Sequence, residues 1–230
     1  MGAALTLAVV AARLGRTAGA LPTEVVASLP GDAIAPEATA VTTRAMEIGA
    51  PPEAVWPWLV QMGYGRGGWY AVDALERALG VGEFATGGSA DRVVPELQDL
   101  AVGDRMPLSE NLDLVVAHLD APRSLVLVLP GGPLDWVWSY VLQPVYATAP
   151  SPATAGPGNA SHDHDPDVGR PVVGTRLLVR TRMGAAASWV RPLLVPLEVG
   201  HLLMELVQLH RLRRRIEAAR DNGRPEPVTR

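Results

Sequence analysis

The sequence contains no cysteine, no lysine and a single phenylalanine. Without cysteine, disulfides, thiolate nucleophiles and Cys-ligated zinc or iron–sulfur centres are excluded. Without lysine, Schiff-base catalysis and a P-loop lysine are excluded as well, since all 20 basic side chains are arginine. The absence of cysteine fits a reducing cytoplasm, which is the expected location, with membrane association through the N-terminus as the variant of it. An excess of positive charge is also missing. The net charge is −4, so there is no basic surplus to neutralise phosphates, and a nucleic-acid partner is not expected.

Long apolar runs are scarce too. Ala3–Ala12 is uncharged over ten residues, which is too short to cross a bilayer. Arg13 and Arg16 follow this run instead of preceding it, the reverse of a secretory signal. The stretch reads as a plain helix or frayed leader, ahead of a truncated membrane anchor or a cleaved signal.

Hydrophobic residues make up 48% and charged ones 19%, enough apolar material for one sizeable core. Three parts are expected: a leader over 1–36, a folded domain over 37–220 and a polar tail over 221–230. Pro22, Pro30 and Pro36 with Gly31 predict an extended lead-in over 21–40. Val41–Ile48 reads as a strand. Pro51-Pro52-Glu53 opens a helix, because proline suits the first turn and an acid there favours the dipole. Pro57 sits one turn in and keeps that helix short, and Gly63, Gly65, Gly67 and Gly68 end it. Ala71–Leu79 predicts a second short helix, closed by Gly80.

From Asp104 on, short strands alternate with turns: Arg105–Leu108, Leu112–Leu119, Ser124–Leu129 and Asp135–Gln143. In the last of these Trp136, Trp138, Tyr140 and Leu142 share one face. Residues 147–171, rich in Pro, Gly, Ala and Ser, predict a disordered hairpin insertion. Gly174–Met183 resumes the sheet, with Thr175, Leu177, Val179 and Thr181 inward and Arg176, Arg180 and Arg182 outward. Leu193–Arg220 is the longest helical pattern, its apolar stripe running through Val199, Leu202, Leu206, Leu209 and Ile216. This order does not alternate strands with helices, so the class is α+β, a curled antiparallel sheet around a long C-terminal helix.

Four stretches carry a resemblance. Val41–Gly63, with its Gly-Ala-Pro-Pro-Glu-Ala-Val-Trp-Pro-Trp core, resembles the opening strand and helix of bacterial START-like proteins of the SRPBCC superfamily. Gly65–Tyr70, Ala90–Asp104 and Gly174–Arg182 are similar to an actinobacterial branch of the polyketide cyclase/dehydrase and lipid-transport group. The likeness spans roughly 37–220 outside the insertion. It implies a helix-grip fold with a hydrophobic cavity between sheet and closing helix, and it brings no universal catalytic motif. The partner it implies is a small hydrophobic molecule, a lipid or polyketide, held by a carrier or sensor. The alternatives are a cyclase/dehydrase-type enzyme and a structural or stress-related interaction module.

Candidate pocket-lining residues are Trp56, Trp69, Tyr70, Asp73, Arg92, Trp136, Trp138, Tyr140 and Met204. Trp and Tyr combine large apolar area with one polar handle, which suits a pocket and suits ordinary core packing equally. Asp73 belongs either to the pocket edge or to the solvent face of its helix. Asp91 and Arg92, with Glu96, Gln98 and Asp99, either pin a loop by an ion pair or offer polar contacts to a ligand. Glu198, His201 and Glu205, at i, i+3 and i+7, are expected on a solvated face. A metal there would need ligands from other elements, and none is expected, nor any cofactor. Arg211, Arg213, Arg214 and Arg215 complement the helix dipole, with weak contact to anionic lipid heads as the other reading. No Gly-x-Ser-x-Gly motif is present, and no catalytic residue is assigned.

Overall fold

The computed structural model describes residues 15–71, 88–148, 169–185 and 187–222. The second short helix, Asp73, most of the insertion, most of the apolar leader and the tail beyond Asn222 lie outside the described residues.

A short helix α1 (Pro22–Val26) leads into strand β1 (Ala40–Ile48) and helix α2 (Pro52–Val60). Strands β2 (Arg105–Ser109), β3 (Leu112–Asp120), β4 (Ser124–Val128), β5 (Leu134–Tyr146) and β6 (Val172–Ala185) follow, and helix α3 (Leu194–Asn222) closes the chain. All strands are antiparallel, in the spatial order β1-β6-β5-β4-β3-β2. The sheet curls around α3, and the fold is the α+β helix-grip arrangement that the sequence implies.

Local chemistry accounts for the elements. α2 begins with Pro52 in its first turn and Glu53 beside it, and Pro57 removes one ladder hydrogen bond from its middle, so it stops at Val60. Its apolar side, with Val55, Trp58 and Leu59 all but fully buried, packs into the main core. Burying each such side chain contributes roughly 1.5–3 kcal/mol. The tight pairing of β5 with β6 places Trp138 opposite Thr181 and Tyr140 opposite Val179, on the concave face toward α3.

Two expectations about faces change. The lead-in is not simply extended. Pro22 opens a one-turn helix whose third residue, Glu24, turns back to accept the Leu21 backbone N–H at 2.7 Å. Nor do the arginines of β6 point to solvent. Residues 19–38 lie across the convex face and cover them: Arg180 is buried, with its guanidinium donating to the carbonyls of Glu24, Val25 and Ala27. Ala35 packs there against Val126 and Val137. Gly31 makes the close approach feasible, because a Cβ at that position would fall 2.6 Å from Ser139 Oγ and 2.8 Å from Val126 Cγ1.

The chain also closes one sheet edge with itself. Thr43 N–H donates to Arg16 O at 2.7 Å and Ala45 N–H to Ala18 O at 3.1 Å, so residues 16–18 satisfy donors that β1 would otherwise expose. The end of the leader is thus part of the fold.

Candidate functional site

α3 faces the sheet with an unexpected side. Glu198, His201, Glu205 and Gln208 are all buried, whereas Leu206 is 41% and Leu203 44% exposed. This reverses the expected solvated face. The inward residues 198, 201, 205, 208 and 212 alternate steps of three and four, a seam as regular as the apolar one that the leucines suggested. Leu202, Leu209 and Ile216 of the expected stripe are buried as well, so α3 buries both seams, and the sheet's own polar groups receive the second.

Those groups come from three strands. Arg44 on β1 is buried and sits with Nη1 2.9 Å from Glu205 Oε1. Its Nε donates to Gly15 O at 2.8 Å. Thr181 on β6 donates to Glu205 Oε2 at 3.3 Å. Tyr140 on β5 has its hydroxyl facing Glu205 and Gln208. Arg16 pairs with Glu198, its Nη2 donating to Oε2 at 2.8 Å. A carboxylate taken out of water is costly unless it is paired and hydrogen-bonded, and each of these two has an arginine partner.

His201 stands at the centre. Its ring lies 5.2 Å from both the Trp136 and the Trp138 ring, edge-on to each. Its Nε2 is 3.3 Å from Glu205 Oε2, close enough for charge interaction but without the geometry of a hydrogen bond. Burial is the main influence that holds the imidazole's pKa below the usual 6.5; the Glu205 charge opposes it and the Arg44 charge reinforces it. Tyr140 is pushed the other way, well above 10, by burial and then by the Glu205 charge.

Several buried polar atoms here have no hydrogen-bond partner among the described residues: Thr42 Oγ1, the Nε1 atoms of Trp136 and Trp138, Tyr140 Oη and both ring nitrogens of His201. Such groups are rare in protein interiors, because each costs about 1–3 kcal/mol when left unpaired. Gathered between sheet and helix, they form a polar head to an otherwise apolar interior.

The neutral state of His201 has a consequence for stability. The unfolded histidine takes up a proton near pH 6.5, whereas the folded one resists until a lower pH. Between those two pKa values the unfolded state binds more protons, so stability falls as the pH falls, by up to about 1.4 kcal/mol per pH unit. Urea denaturation at pH 7.5, 6.5 and 5.5 should show this decline. His201→Gln should flatten it, and an unaltered slope in that variant would remove His201 as its source.

At the other end of the interior lies the Gly63–Tyr70 loop. Gly63 and Gly68 pair as a β-bridge. Trp69 stacks on Trp138 with centroids 5.5 Å apart and planes 13° from parallel, and its Nε1 donates to Pro107 O. Tyr70 is buried at φ 58°, a left-handed conformation unusual for an aromatic residue. Its hydroxyl donates to Trp58 O at 3.0 Å and accepts from Gln61 Nε2 at 2.9 Å. Gln61 also accepts from Val94 N–H and donates to Arg92 O.

Of the residues singled out in the sequence, Trp69, Trp136, Trp138 and Tyr140 come together along one side of the interior. Trp56 is half-buried against the core, and Met204 is half-buried on α3. The Arg92 side chain is exposed, and only its carbonyl takes part. The Asp91–Asp99 loop is tied down by the amides of Gln61 and Gln98, with Gln98 Nε2 donating to Pro57 O and Val94 O, and by Arg66, whose Nη2 donates to Leu97 O at 3.3 Å. Sequence reasoning passed over Arg44, Gln61, Thr181 and Gln208, and it put His201 and Glu205 on the wrong face. The three-four spacing of 198, 201, 205, 208 and 212 was the available signal. Among the described residues no cluster of three or more His, Asp or Glu side chains could hold a metal ion, and no helix is long and apolar enough to cross a membrane.

No family model matches the chain, and no curated protein matches it. Among solved structures, CalU16 from Micromonospora echinospora is similar over 77% of this chain and 84% of that one, at 14% identity and a TM-score of 0.29. A likeness that low carries no weight for function, and the architecture rests on the sheet and helix described above.

Proposed function

We propose that the protein binds a small, mainly apolar molecule between the concave face of the sheet and α3, as a carrier or sensor. The observation that carries this reading is the set of unpartnered buried polar atoms at Trp136, Trp138, Tyr140 and His201 beside the Arg44–Glu205 pair. Most of them are donors, so the polar end of the molecule supplies acceptor oxygens, while the surrounding aromatic rings take its apolar body. Trp69, stacked on Trp138, then acts as a plug that the glycine-rich Gly63–Tyr70 loop swings aside.

Tyr140→Phe separates binding from folding. The Tyr140 hydroxyl has no partner that satisfies hydrogen-bond geometry, so its loss should leave the midpoint of unfolding unchanged or slightly raised. A fatty acid bearing an environment-sensitive fluorophore should bind the wild type and bind the variant several-fold more weakly. If the probe never binds, or binds both proteins equally, the reading is wrong.

One observation favours a second reading, an acid–base enzyme of cyclase or dehydrase type. A buried imidazole held below its usual pKa and 3.3 Å from the Glu205 carboxylate keeps a ring nitrogen free to take a proton, as a general base requires. Native mass spectrometry of the protein from its own cells distinguishes the two. A bound molecule of constant mass on incubation supports the carrier, and one that changes mass supports the enzyme.

A further inference from the structure

A second, separate feature lies on the outer end of α3. A pocket of about 330 Å³ is lined by Asp91, Arg211, Arg214, Arg215, Ala218 and Ala219. Among the described residues three arginines face a single carboxylate there, in a chain whose net charge is −4. The two alanines leave the helix surface low between the guanidinium groups.

Among the described residues the hydrogen-bond partners of these arginines are uncharged. Arg211 donates to Ala71 O at 3.0 Å and Arg215 to Ala90 O at 3.0 Å, both uncharged carbonyls. Arg215 also lies over the Tyr70 ring, 5.6 Å from its centroid. Arg214 is exposed and has no hydrogen bond or ion pair among the described residues. The neighbouring Arg213 differs, since it is paired with Glu217 at 3.0 Å. Partial burial lowers the Arg215 pKa, and the Arg211 charge lowers it further, against the opposing pull of Tyr70 and Asp91. Two like charges fixed in place and repelling each other are what a bound anion would relieve.

We propose that this pocket binds a phosphate group, with Arg211, Arg214 and Arg215 as its ligands. Guanidinium forks match tetrahedral phosphate oxygens two at a time, and a dianion is needed to balance a lining that carries three positive charges and one negative. The phosphate belongs either to a soluble phosphate ester or to the headgroup of an anionic lipid at a membrane surface. This site is independent of the sheet–helix interior, and neither depends on the other being correct.

The test uses the full chain at low ionic strength and pH 7.5. Calorimetric titration with inorganic phosphate should show binding, while acetate, a monoanion, should bind at least tenfold more weakly. Arg214→Gln should weaken phosphate binding at least tenfold without shifting the unfolding midpoint, because that side chain supports nothing else. Asp91→Asn should strengthen it several-fold by removing the opposing charge. Flotation with phosphatidylcholine vesicles, with and without phosphatidic acid, identifies the source. Flotation only with phosphatidic acid, reversed by inorganic phosphate, assigns a lipid headgroup, and phosphate binding without flotation assigns a soluble ester. The proposal is overturned if neither phosphate nor vesicles bind, if acetate matches phosphate, or if Arg214→Gln binds as tightly as the wild type.

Discussion

Glu205→Gln is expected to lower the stability of the domain by about 3–5 kcal/mol, the usual cost of leaving one member of a buried ion pair without its partner. Arg44 and Glu205 are 1% and 0% exposed at their side chains and 2.9 Å apart, so neither can turn to water when the other is removed. Glutamine keeps the size and one acceptor oxygen for Thr181, so the loss reads the missing charge and not a cavity. A matched apolar pair, Arg44→Met with Glu205→Leu, should recover most of the loss, since no charge is then left in the interior. Urea denaturation of Arg44→Met, Glu205→Leu and the double variant measures the coupling directly. If Glu205→Gln costs less than about 1 kcal/mol, the pair is not the polar anchor of the helix and water must reach Arg44. If the double variant folds as stably as the wild type yet no longer binds the fatty-acid probe, the pair is kept for the ligand and not for the fold.

The sequence was legible where the signal is local. Strand ends fell within a few residues of their observed positions, because turn residues and alternation are read over four or five positions. Pro57 marked a short helix for a reason contained in its own ring. The long helix was equally plain as an element, and so was most of its leucine stripe. Leu202, Leu209 and Ile216 are buried as that stripe implies, and the adjacent seam of Glu198, Glu205 and Leu212 is buried too, so the inward face is wider than the stripe. The second seam is received by Arg44 and Thr181, which reach the helix only after the sheet has formed. Composition alone makes carboxylates look solvated, and no local rule places an arginine of the first strand opposite a glutamate 161 positions later. The convex face was hidden in the same way. Alternation assigns Arg180 and Arg182 correctly to the side away from α3, and only the fold shows that residues 24–36 lie over them.

That cover depends on Arg180, and Arg180→Leu should cost on the order of 4 kcal/mol. Its guanidinium uses every donor it has. Nε donates to Thr43 Oγ1 at 2.9 Å, Nη1 to Ala27 O and Asp32 Oδ2 at 2.7 Å each, and Nη2 to Glu24 O and Val25 O at 2.9 Å each. A hydrogen bond from a charged donor contributes about 1.5–3 kcal/mol, and the carbonyls left behind add a penalty wherever water cannot reach them. The sum is capped because the covering segment can peel away and rehydrate, which limits the loss to the free energy of docking it. Peeling is itself a measurable outcome. Amide hydrogens of residues 24–38 should exchange much faster in Arg180→Leu, while those of β4 and β5 keep their protection. Arg180→Lys should fall between the two, because it keeps the charge for Asp32 and loses the planar fork that reaches three carbonyls at once. Were Arg180→Lys as stable as the wild type, with residues 24–38 equally protected, charge alone would hold the segment and the five-bond account would fail.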